Sequence, residues 1–200
     1  MPDRSGAVSS LEEFFEGIVR RGVEPDLERT LRERAARTAG PSGRAGDPAL
    51  LEAVAGRLVP GAVPPAVLAA FLDDHFDRQL GRGDERVGVL PREELIPVGF
   101  RALDDEARRR HGAGFASSGA PEQDALLAAV ERGELSGPEG FDAAEWFRWV
   151  RALLLLGYGS DPRGMVEMGY RGPSYSKGHV WLDEYEVARR ADGAPGYLEL

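Results

Sequence analysis

Asp142-Ala143-Ala144-Glu145-Trp146-Phe147-Arg148-Trp149-Val150-Arg151-Ala152-Leu153-Leu154-Leu155-Leu156 is the stretch that decides the fold. Asp142 and Glu145 stand at capping-box spacing, which opens a helix. From Trp146 to Leu156 the apolar side chains point in every direction around that helix. A helix apolar all round is normally buried on all sides. In a chain of 200 residues it belongs at the centre of a bundle, or with one face under a partner.

Outward from this centre, other segments read as helices around it. Leu11, Phe14, Phe15, Ile18 and Val19 form a stripe at helical period, with Ser9 or Ser10 as the cap. A charged helix with only Leu27 and Leu31 as an apolar seam follows over 26–38. Residues 39–46 are a Gly/Pro/Ser linker. Asp47-Pro48 then starts a helix with aspartate as cap and proline in the first turn. Val67, Leu68, Phe71, Leu72, Phe76 and Leu80 line one side of a helix from Pro65. Pro91 and Pro97 bracket a short turn before a helix over Val98–His111, with Gly112 as its C-cap. Leu126, Leu127 and Val130 face the core from a helix over Pro121–Arg132. From Gly157 onward the texture becomes loop-like, rich in glycine, proline and tyrosine. The expected class is mainly α, an irregular multi-helix bundle with an N-terminal helical arm and long C-terminal loops. Its expected divisions are an arm and linker over 1–46, a helical domain over 47–176 and an extended C-terminal arm over 177–200.

Composition excludes several functions. The chain has no cysteine, so it holds no disulfide framework, cysteine nucleophile or zinc ribbon. Its 34 acidic and 25 basic residues give a net charge of -9, a poor basis for binding nucleic acid. Lys177 is the single lysine; the arginine bias reads as coding preference. The most apolar run, Ala152 to Leu156, is five residues, far short of the ~20 a bilayer span needs. Arg20-Arg21 is not followed by an apolar run, so no export signal is read there, and the expectation is a soluble cytoplasmic protein.

Candidate chemistry is sparse. Gly81-x-Gly83 and Gly157-x-Gly159 lack the strand and third glycine of a dinucleotide fingerprint and read as caps and turns. Asp74, His75 and Asp77 could ligate a metal, but the companion His or Glu at helical spacing is missing; the aspartates there read as facing outward. Asp104-Asp105-Glu106 and Asp183-Glu184 read as solvated helix faces, and Arg82-Gly83-Asp84 as a chance triplet. His111 and His179 have no neighbour that suggests a triad. The C-terminal third holds Trp146, Trp149, Tyr158, Tyr170, Tyr175, Trp181, Tyr185 and Tyr197. Such residues pack cores, and they also anchor interfaces.

Several segments together resemble the gluconate 2-dehydrogenase subunit 3 family. The residues that carry it are Leu50-Leu51-Glu52-Ala53-Val54 through Val59-Pro60-Gly61, Ala69-Ala70-Phe71-Leu72-Asp73-Asp74, and Gly99-Phe100 through Gly114-Phe115-Ala116. Gln123-Asp124-Ala125-Leu126-Leu127, the apolar helix around Trp146 and Phe147, and Gly157-Tyr158-Gly159-Ser160-Asp161-Pro162 with Gly164, Met168-Gly169-Tyr170 and Gly172-Pro173 complete it. It covers about residues 48–176. The family often has Gly-Gly-Asn after the Asp-Pro, where Arg163-Gly164-Met165-Val166 stands here, and many members carry a twin-arginine signal.

The resemblance implies a non-catalytic small subunit in a hetero-oligomer. Its partner would be a large FAD-containing subunit of the glucose–methanol–choline (GMC) oxidoreductase type, acting on sugar or alcohol hydroxyls. The small chain would then hold no catalytic residue, cofactor or metal of its own. Trp149, Tyr158, Asp161, Tyr170 and Trp181 are the expected interface residues. The alternatives are a stand-alone helical interaction module and a small metal-binding helical protein using His75, Asp74 and Asp77.

Overall fold

The computed structural model describes residues 10–20, 25–78 and 88–170. Its helices are α1 (Leu11–Arg20), α2 (Pro25–Ala35), α3 (Pro48–Leu58), α4 (Pro65–His75), α5 (Arg92–His111), α6 (Ala120–Glu131), α7 (Ala143–Ser160) and α8 (Pro162–Glu167), with a 3-10 turn over Phe115–Ser117. No strand occurs among the described residues, and the class is mainly α as the patterning implies. Trp181, the Gly81–Gly83 pair, Arg82-Gly83-Asp84, Leu80 and the arm over 177–200 lie outside the described residues. None of the described helices is long and apolar enough to cross a membrane.

α7 is the hub, touching α4, α5, α6 and α8. Asp142 caps it by accepting from the Glu145 amide at 2.9 Å. Trp146 is fully buried at its centre, donating its indole N–H to the Ile96 carbonyl at 3.0 Å and meeting Phe100 edge-on. This packing requires Gly99, because a Cβ there would overlap the indole.

The hub is less enclosed than its composition suggests. Val150, Leu153 and Leu154 are buried, but Ala152, Leu155 and Leu156 are exposed on the same helix. Among the described residues, helices pack around one side of α7 and leave Ala152, Leu155 and Leu156 on the other.

Two expected boundaries move. Residues 92–111 form one helix with Pro97 inside it, rather than a turn followed by a helix. Proline in a helix interior forfeits one ladder hydrogen bond, and buried Leu95, Ile96, Gly99 and Phe100 hold both sides of the break in the core. Gly157 to Ser160 continue α7 instead of starting a loop, and residues 162–167 form α8. The glycines there serve close approach: a Cβ at Gly157 would come within 2.9 Å of the Phe71 ring, and one at Gly164 would overlap the Tyr158 carbonyl.

Asp73 corrects the outward reading of its neighbourhood. It is fully buried and accepts from the amides of Ser42 (2.8 Å), Gly43 (2.9 Å) and Ala45 (2.6 Å) and from the Ser42 hydroxyl (2.7 Å). Burial pushes its carboxyl up, but these donors outweigh it and hold the group below the ordinary value of 3.8. The Gly/Pro/Ser stretch is therefore stapled to α4 rather than left as a free linker.

Asp104 plays a similar part, accepting from the Phe115 amide at 2.8 Å and seating the buried Phe115 ring, so it is no plain solvated residue. In front of the linker, α1 and α2 build a small separate cluster. Phe14, Phe15, Ile18 and Leu31 pack there with Met165 and Val166 of α8. The Ser10 hydroxyl caps α1 by accepting from Glu13.

Candidate interaction surface

The corner between α7 and α8 gathers most of the expected site residues. Tyr158 is buried and donates its hydroxyl to Glu167, which also accepts from the Ala62 amide at 2.6 Å. Burial, then the Glu167 carboxylate, pushes the phenol above the usual tyrosine range. The hydrogen bond from Tyr158 and that from Ala62 hold Glu167 below the usual carboxylate range. The triad ties the turn between α3 and α4 to α8.

Asp161 is also buried. It caps α8 through the Arg163 amide at 2.9 Å and grips the Arg163 guanidinium at 2.8 and 2.7 Å. Arg163 in turn donates to the Arg37 carbonyl at 3.3 Å, which links this corner to the N-terminal arm. Trp149 is half-buried, with the Arg92 and Arg148 guanidiniums 4.8 and 4.4 Å from its ring centroid. Of the five expected interface residues, Tyr158 and Asp161 are internal struts, Trp149 is a packed ring, and Tyr170 is exposed. Trp181 lies outside the described residues.

The open apolar surface is made by residues outside the expected interface set. Leu155 is 52% exposed, Leu156 48% and Met168 57%. Gly159 lies one turn beyond Leu155, and a Cβ built on it would lie 3.8 Å from the Met168 Cε. Met168 therefore continues the Leu155 and Leu156 face across the α7–α8 corner, toward Tyr170 at 42%. A run of four leucines beside two tryptophans was the available signal. What no pattern showed was which leucines the neighbouring helices would leave open. Large apolar side chains grouped on a surface mark an interaction site.

Two of the three residues of the metal alternative, His75 and Asp77, are engaged elsewhere. His75 Nδ1 lies 2.8 Å from the Phe71 carbonyl and its ring stacks on Phe71 with centroids 4.1 Å apart. Asp77 pairs with Arg44. Among the described residues no group of three or more His, Asp or Glu is placed to hold a metal ion.

No curated protein and no solved structure matches the chain. A family model described as gluconate 2-dehydrogenase subunit 3 matches residues 45–173, from the stapled linker through the α7–α8 corner. That span is well over half of the 200 residues and contains both the Trp146-centred core and the exposed Leu155–Met168 face, so the chain belongs to the gluconate 2-dehydrogenase subunit 3 family.

Proposed function

We infer that this chain is a non-catalytic small subunit. It binds and stabilises, or helps to mature, a large FAD-dependent oxidoreductase of the GMC type acting on sugar or alcohol hydroxyls. The observation that carries this reading is the exposed face of Leu155, Leu156 and Met168 on the hub helix, inside the residues that define the family. Water-exposed leucines gain roughly 1.5–3 kcal/mol each on full burial, so a partner that covers them binds the folded chain selectively. A partner that binds only the native state stabilises it by mass action. The flavin and the catalytic groups belong to that partner, and this chain contributes surface.

Co-expression with a candidate flavoprotein tests the reading. The expected result is one complex in size-exclusion chromatography with flavin absorbance in the same peak. Leu155→Glu with Met168→Glu is expected to weaken association at least about tenfold, since desolvating two carboxylates costs several kcal/mol. Both side chains are exposed, so helix content and melting temperature stay unchanged. A double variant that co-purifies as well as the parent removes the surface assignment. A parent chain that binds no flavoprotein removes the subunit reading.

A further inference from the structure

Between the N-terminal arm and the body lies a cleft of about 530 Å³. Its volume is in the range of small-molecule sites. Arg34 and Arg37 line it from the arm, and Phe71, Asp74, His75 and Arg78 from α4 and the residues that follow. The arm residues lie before the family span, which begins at residue 45, so the family domain supplies one wall only.

The charges here run against the rest of the molecule. The chain carries a net charge of -9, yet three guanidiniums border this cleft. Asp161, which also lines it, is neutralised by its two-pronged pairing with Arg163. Among the described residues Asp74 is the one lining carboxylate without a paired cation; Arg78 bonds its backbone carbonyl, not its carboxylate, at 3.0 Å through Nε. Three guanidiniums against the Asp74 carboxylate give the walls two positive charges in excess.

Arg34 and Arg78 are each held by one hydrogen bond, and all three guanidiniums still have donors to give. Arg34 is fixed by a single bond to the Ser160 carbonyl at 3.2 Å. A guanidinium has five N–H donors, so Arg34, Arg78 and Arg37 keep most of theirs for a ligand. Planar forks of this kind match the oxygens of phosphate.

We propose that this cleft binds a small hydroxylated phosphomonoester. Its dianionic phosphate lies against Arg34, Arg37 and Arg78, and a ligand hydroxyl donates to the Asp74 carboxylate. A dianion balances the two excess charges, which a single carboxylate does not. The volume leaves room beyond the phosphate for a polyol, and the Asp74 carboxylate on the wall suits its hydroxyl. The site is independent of the apolar face on α7, and its occupancy does not require the flavoprotein partner.

Isothermal titration calorimetry on the full chain at matched ionic strength tests this, with glycerol 3-phosphate, inorganic phosphate and glycerate as probes. The expected order is glycerol 3-phosphate tightest, inorganic phosphate weaker, and glycerate at least about tenfold weaker than the phosphomonoester, in line with the worth of a charge-assisted bond. Arg37→Ala and Arg78→Ala are each expected to weaken glycerol 3-phosphate about tenfold with the melting temperature unchanged, because both side chains are exposed. Asp74→Asn is expected to strengthen inorganic phosphate while narrowing the preference for glycerol 3-phosphate over it, a signature that a purely structural role would not produce. Glycerate binding as tightly as glycerol 3-phosphate, no heat from any probe, or affinity untouched in the Arg37→Ala and Arg78→Ala double variant each overturns the proposal.

Discussion

Single side chains fasten this molecule at a few points where one atom decides the outcome. Asp73 collects three backbone amides and a hydroxyl inside the protein. Replacing it with alanine leaves the buried Ala45 amide and the part-buried Ser42 and Gly43 amides without this acceptor, at an expected cost of about 2–4 kcal/mol, measurable as a shift in urea midpoint. The folded carboxyl titrates below its ordinary value of 3.8. Its stabilisation is therefore fully present above that value and is lost as pH falls through the lower, folded pKa. Melting temperature against pH should fall more steeply in this acid range for the parent than for Asp73→Asn. Gly99→Ala should be as damaging, since the new methyl enters the volume of the Trp146 indole and overpacking costs about 1–3 kcal/mol or more. Of these features, the buried tryptophan was legible from its apolar surroundings. Asp73 was not: its neighbours Asp74 and Asp77 are exposed, and nothing local distinguishes the one aspartate that meets a loop thirty residues earlier.

At the scale of elements, the glycines of the α7–α8 corner show how little composition says about backbone. Gly157-x-Gly159 reads as a turn, yet both residues are helical and their surroundings differ. Gly157 lies against Phe71, whereas a Cβ on Gly159 would meet only the Met168 methyl at ordinary contact distance. Gly159→Ala is thus expected to stabilise the chain by about 0.5–1 kcal/mol through helix propensity. Gly164→Ala is expected to destabilise it by more than about 2 kcal/mol, because the obstacle is the Tyr158 backbone, which cannot turn aside. Thermal melts of the two variants, moving in opposite directions, are the check. α5 teaches the same point about proline. Pro97 reads as a boundary, but the core contacts of Ile96, Gly99 and Phe100 outweigh one lost ladder bond. The caps at Asp47, Asp142 and Gly112 were readable because each acts on its own adjoining turn.

Across the whole molecule, one large core around α7 carries the family domain, and a small cluster seats the arm on α8. Phe14 is central to the smaller cluster and fully buried. Phe14→Ala removes about 3–5 kcal/mol of packing from a cluster of few residues. Amide exchange in α1 and α2 should then accelerate at least about tenfold while α4 and α7 keep their protection. An even acceleration through α4 and α7 would show instead that arm and body unfold as one unit. The amino-acid sequence by itself determined the helical class, most helix starts, the Trp146-centred core and the family, because capping, hydrophobic period and local motif act over one or two turns. Tertiary structure decided the rest: that Asp73 is a staple, that Tyr158 and Asp161 are buried struts, and that Leu155, Leu156 and Met168 face water. It also brought Arg34, Arg37 and Arg78 to one cleft. Those outcomes depend on which surfaces meet across long separations in the chain, and a helix that is apolar all round carries no mark of the side its neighbours will leave open.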